Sequence, residues 1–116
     1  VVNRDIYPPK TAFMIGMELP DTAGIIKDLD CMINEDSGIM HVTAAMDTPQ
    51  VAIFGPTSDI KNRPWNNKAA VIKQGLPCQP CQYTPKQTTC TRNVCMDISP
   101  ELIVEEVKML IEKFPK

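Results

Sequence analysis

The sequence predicts an α/β fold, a parallel sheet with helices on both faces. Three observations carry that expectation. Short apolar runs of strand length alternate along the chain with segments of helical periodicity, and strands that run parallel need such crossovers between them. The apolar runs end in glycine, proline or acidic clusters, which punctuate the chain. Apolar residues make up 43% of 116 residues and aromatics only 5%, so one domain, or part of one, can build a core filled by Ile, Val, Leu, Met and Ala.

The elements follow in order. Residues 1–11 are polar and broken by Pro8 and Pro9, which marks a lead-in or linker. The domain then spans 12–116. Residues 12–15 form a short apolar run before Gly16, and this predicts a buried strand. Residues 19–29 predict a helix: Pro20 suits the first turn, Asp21 complements the positive end of the dipole, and Leu19, Ala23, Ile26 and Leu29 share a face. Residues 31–33 predict the next strand, with Cys31 as a small hydrophobe. A helix over 39–46 follows, closed by Pro49. Residues 51–54 predict a third strand and 69–72 a fourth, weaker one, with a polar stretch through Trp65, Asn66 and Asn67 between them. A cysteine-bearing loop fills 77–96. The last helix runs over about 99–114, with Ser99 as N-cap, Pro100 in the first turn and Glu101 against the dipole. Ile103, Val107, Leu110, Ile111 and Phe114 line its core face.

Charge excludes some functions. Twelve basic residues stand against fourteen acidic ones, a formal charge of −2 with no basic block, so nucleic acid is not an expected partner. No apolar run approaches the ~20 residues that span a bilayer, and the first residues lack the apolar stretch of a signal peptide. The chain begins with valine, which fits a processed chain or a fragment.

Ligands of open parallel sheets bind at the carboxyl ends of strands. Two loops leave predicted strand ends with chemistry of their own. In "INEDSGIMH", Ser37 and Gly38 head a helix whose free N–H groups and dipole can hold phosphate. Gly38 lets a ligand approach the backbone, and His41 lies on the same face in the first turn. The plainer reading is an ordinary capped helix with a solvated histidine, and Glu35 and Asp36 put negative charge near the anion site. The second loop, Gly55-Pro56-Thr57 after Phe54, is a turn whose claim is its place beside the first.

Cys78-x2-Cys81-x8-Cys90-x4-Cys95 clusters four thiols in a loop with little core of its own. Four sulfurs can grip zinc or iron as a structural centre. Two disulfides and four free thiols remain open alternatives, because the second pair has no standard knuckle spacing.

Taken together, "NEDSGIMHVTAAMDTPQVAIFGPT" resembles the donor-binding segment of family 9 glycosyltransferases, the lipopolysaccharide heptosyltransferases and their relatives. That pattern is Asp-(Thr/Ser)-Gly, two variable residues, His, a small-residue helix, Pro, an apolar strand and Phe-Gly-Pro-Thr. "LPDTAGIIKDLDCMI" upstream, and "LPCQPC" and "CMDISPELIVEEV" downstream, are similar to the family's adjoining helix, strand and cysteine-bearing tail, so the likeness covers roughly residues 12–114. The resemblance implies a Rossmann-like unit, part of the C-terminal domain of a GT-B fold. It implies an ADP-sugar donor, ADP-heptose in the best-known members. The sugar would pass with inversion and without a catalytic metal to a glycan or lipid-linked acceptor, in the cytoplasm or peripherally at the inner membrane. Asp36, Ser37, Gly38 and His41 would surround the donor diphosphate, and Gly55, Pro56 and Thr57 would shape the adjoining wall. The family's general base lies in its N-terminal domain, so no catalytic residue is expected here and the chain alone should be inactive. Asp47 stands where the family usually has Gly, in a position that calls for left-handed backbone. The alternative is a non-catalytic module whose cysteine-bound metal serves assembly. A different nucleotide-binding domain would need a G-x-G-x-x-G turn, which the sequence lacks.

Overall fold

A computed structural model describes residues 8–65 and 68–116. The expected lead-in therefore lies mostly outside the described residues, as do Asn66 and Asn67. The elements are α1 (Leu19–Asp28), β1 (Met32–Glu35), α2 (Gly38–Ala45), β2 (Gln50–Ile53), α3 (Asp59–Asn62), β3 (Ala69–Ile72), α4 (Lys86–Thr89), a 3-10 turn (Val94–Met96) and α5 (Pro100–Lys113).

The sheet is parallel, in the order β1-β2-β3. Glu35 pairs with Ile53 and Ile53 with Ile72 at its carboxyl edge. The central strand is covered on both faces, and Val51 and Ala52, which point to opposite sides, are both fully buried. Met40, Ala52 and Phe54 form the core under α2. Val51, Ile72 and Leu110 form the core under α5, with Cys31, Ile103, Val107 and Phe114 around them.

A polar staple sits inside the α2 layer. The Asn34 amide donates to Gln50 Oε1 at 2.8 Å and to Thr43 Oγ1 at 3.2 Å. The Gln50 amide donates to the Met40 carbonyl at 3.1 Å, and the Thr43 hydroxyl to the Ile39 carbonyl at 2.8 Å. All three side chains belong to buried residues, and such groups are stable inside only when paired. The staple joins β1, β2 and α2, and so fixes how far α2 slides along the sheet.

Three expectations are corrected. Residues 12–15 are not a strand: the chain from 11 to 18 is irregular, Met14 and Ile15 are 60% and 65% exposed, and Gly16 turns it at φ +73°. A strand is held by its ladder, and β1 pairs only with β2 among the described residues. Ile111 is exposed rather than core. At about 100° per residue it lies one step round the helix from Leu110, past the arc that meets the sheet. Ser99 stands at the N-cap of α5 but caps no N–H group. Its hydroxyl instead donates to Glu101 Oε2 at 2.7 Å, holding that carboxyl below its usual value. Asp47 does adopt the left-handed backbone expected of it, at φ +58°, and pairs with Lys68 at 2.7 Å.

Candidate functional site

The parallel sheet sends two loops out of adjacent strand ends. The first joins β1 to α2. Ser37 is the N-cap in extended backbone, and its hydroxyl makes no capping bond. The first N–H groups of a helix have no internal partner, so here they are not covered by the cap side chain. Gly38 is exposed, and a Cβ built on it meets no atom within 4 Å. Its lack of a side chain serves no packing need inside the protein and leaves the helix head open. Asp36 is half-buried, and its Oδ2 accepts from the Asn62 amide at 3.1 Å. His41 is exposed one turn along.

The second loop is the turn after β2. Gly55 is buried, and a Cβ there would run into Met96 Sδ and stand 3.4 Å from Cys95 Sγ. The turn is held by the segment that bears the cysteines. The Pro56 carbonyl accepts from the Cys81 and Gln82 N–H groups, each at 2.9 Å. The Gln79 amide donates to the Gly55 carbonyl at 2.8 Å, and the Ser58 N–H donates to Gln82 Oε1 at 3.2 Å. The loop's want of a core is thus met by hydrogen bonds to the turn.

Two depressions flank the turn. One, of about 430 Å³, is lined by Ile33, Glu35, Ser37, Ile39, Ile53 and Met96 among others. It lies at the carboxyl ends of β1 and β2, beside the head of α2. The other, of about 170 Å³, is lined by Gly55, Thr57 and Gln79, with Lys73 and Asp59 paired at 3.0 Å on its rim. Of the expected residues, Asp36, Ser37, Gly38 and His41 share one loop and helix head. Thr57 borders the smaller depression. Gly55 borders it too, but the side where its Cβ would stand is filled by Met96 and Cys95, and Pro56 serves as the acceptor that binds the cysteine loop.

Among the described residues the four clustered cysteines do not converge on one point. Cys78 and Cys90 are exposed, while Cys81 and Cys95 are half-buried. Among the described residues, no three His, Cys, Asp or Glu side chains gather to hold a metal ion. The Cys81 backbone is bonded to Pro56, and the Cys95 thiol lies against Gly55. The residues as arranged do not fit a zinc or iron ion held by four sulfurs. Cys31 stands apart, packed under α5, where burial pushes its thiol up.

Asn62, Gln79, Gln82 and Met96 were not legible as site residues. Gln79 lies inside the C-x2-C pair and Gln82 beside it, and a short loop rich in amides is the one signal that pointed there.

The sequence profile of glycosyltransferase family 9 (heptosyltransferase) matches residues 9–92. The chain is 40% identical over 85 residues to a lipooligosaccharide heptosyltransferase 2 of Campylobacter jejuni, covering 70% of this chain and 26% of that protein. It is 29% identical over 96 residues to a lipopolysaccharide heptosyltransferase 2 of Salmonella typhimurium, covering 83% and 27%. Among solved structures, the ADP-heptose lps heptosyltransferase II of E. coli superimposes with a TM-score of 0.65 at 30% identity, covering 84% of this chain and 26% of that one. The chain thus spans about a quarter of the length of these relatives.

Proposed function

The chain belongs to glycosyltransferase family 9, and from that footing we propose that it forms the donor-binding part of an inverting glycosyltransferase that moves a sugar from an ADP-sugar, ADP-heptose foremost, onto a lipopolysaccharide core or similar glycan. The open head of α2 is the observation that carries the reading. At the carboxyl edge of a parallel sheet the Ser37 side chain caps no N–H group of α2, and Gly38 is exposed there with no atom within 4 Å of where its Cβ would stand. The N–H groups of a helix head suit a diphosphate. As the bond from the sugar to the diphosphate breaks, negative charge grows on the leaving phosphate, and preformed N–H donors stabilise it. Ser37 and His41 supply further donors, and Asp36 orients the loop. Thr57 forms the adjoining wall.

We assign no catalytic residue and no catalytic metal to this chain. The acceptor hydroxyl needs a base, and we assign that base, with the acceptor site, to the additional length that the relatives carry. No helix among the described residues is long and apolar enough to cross a membrane. The reading is of an enzyme of the cytoplasm, or one lying peripherally at the inner membrane where lipid-linked acceptors are presented.

ADP titrated into the protein and followed by amide NMR should shift the Ser37–His41 signals. Asp36→Ala and His41→Ala should each weaken binding, by about five- to tenfold for a lost charge-assisted hydrogen bond. Absence of binding, or binding untouched by both substitutions, overturns the proposal.

A further inference from the structure

Asn62 ends α3, a helix of four residues. Such a helix has no stability of its own, so its pose is set by what holds it, and several anchors do. Ser58 is buried, its Oγ accepts from the Lys61 N–H at 3.3 Å and its carbonyl from the Asn62 N–H at 3.0 Å. The Ser58 N–H in turn reaches Gln82 of the cysteine loop. Asp59 pairs with Lys73, just beyond β3. From this braced helix a single side-chain amide extends to Asp36, 26 residues earlier in the chain, at 3.1 Å. On the receiving side, the loop before α2 has no capping bond from Ser37.

We propose that Asn62 is a positioning residue: its amide fixes Asp36, and with it the head of α2, relative to the turn after β2. The hydrogen bond is charge-assisted and half-buried, the kind that keeps its strength against water. Its donor comes from the segment that follows the Gly55–Thr57 turn, so it ties together the two loops that leave the sheet. Gln82 braces the same segment from behind, which makes the cysteine loop the outer support of the donor-binding loop. The effect on ligand rests on the function proposed above. The effect on the loop itself does not.

The test uses Asn62→Ala, Asn62→Asp and the swapped pair Asn62→Asp/Asp36→Asn. The first readout is hydrogen exchange, without ligand, at the Met40 amide, which donates to the Ser37 carbonyl at 3.1 Å at the head of α2. Asn62→Ala should speed exchange about tenfold, the scale of one charge-assisted bond. Asn62→Asp should speed it further, because two carboxylates then face each other. The swapped pair restores a donor and an acceptor with their places exchanged, and should return exchange to within about threefold of the parent. A merely structural role for Asn62 predicts no such rescue. The second readout is ADP affinity, expected to fall about five- to tenfold in Asn62→Ala. Exchange unchanged in Asn62→Asp, or a swapped pair no better than Asn62→Asp, overturns the inference. A parent protein that binds no ADP while the exchange pattern holds overturns the proposed function and leaves the positioning role standing.

Discussion

Gly38 and Gly55 sit at corresponding places, each just past the carboxyl end of a strand, yet they are glycine for opposite reasons. At Gly38 the space where a side chain would stand is empty. At Gly55 it is occupied by Met96 and Cys95. The two loops have therefore divided the work of a strand-end site: one is kept open toward solvent, and the other is closed over by its own protein. A glycine in a motif does not say whether a Cβ would fit: at Gly55 it would not, and at Gly38 it would.

The largest test of this contrast lies beneath the open loop. If the staple of Asn34, Thr43 and Gln50 is what holds α2 so that its head stays open at the sheet edge, Gln50→Leu should be the most damaging change. It strips the Met40 carbonyl of its side-chain donor and the Asn34 amide of its shorter bond. A loss of about 2–3 kcal/mol in urea denaturation is expected for buried groups left unpaired. A loss near zero would mean that α2 is held by its apolar contacts alone.

The glycines themselves come next. Gly55→Ala should cost about 1–2 kcal/mol, since Met96 and Cys95 must give way. Combining it with Met96→Ala should recover most of that loss, because Met96 is itself 45% exposed and cheap to shorten. Gly38→Ala should leave stability unchanged or slightly raised and weaken ADP binding instead. If both glycines behave alike, the contrast fails. The smallest effect is expected at Asp47→Gly. Relief of the left-handed backbone and loss of the exposed pair with Lys68 roughly cancel, leaving a change within about 0.5 kcal/mol.

Long periodic elements were readable in advance. The helices at 19–28, 38–45 and 100–113 and the strands at 32–35, 50–53 and 69–72 each lie within a residue or two of their expected bounds. So does the family, through its ordered motif. Residues 12–15 misled because a strand's existence depends on a neighbour, and no local pattern reports whether the neighbour is there. Gln50 gave no signal, since a buried glutamine is recognisable only by the partners that satisfy it. Asn62 lies in a polar stretch whose four-residue helix is too short to show a period. For the cysteines, spacing along the chain gave no sign that Cys81 and Cys95 meet the turn through separate contacts.

The seam between the turn at 54–58 and the loop at 77–96 has a consequence for engineering. Gly55 and Met96 share one volume, Pro56 carries two bonds from Cys81 and Gln82, and Gln82 also holds Ser58. The two segments are therefore a single exchangeable part, although the chain separates them by a helix and a strand. A chimera that imports the loop of a relative must import its turn as well, and libraries that vary residue 96 should vary residue 55 in the same clone.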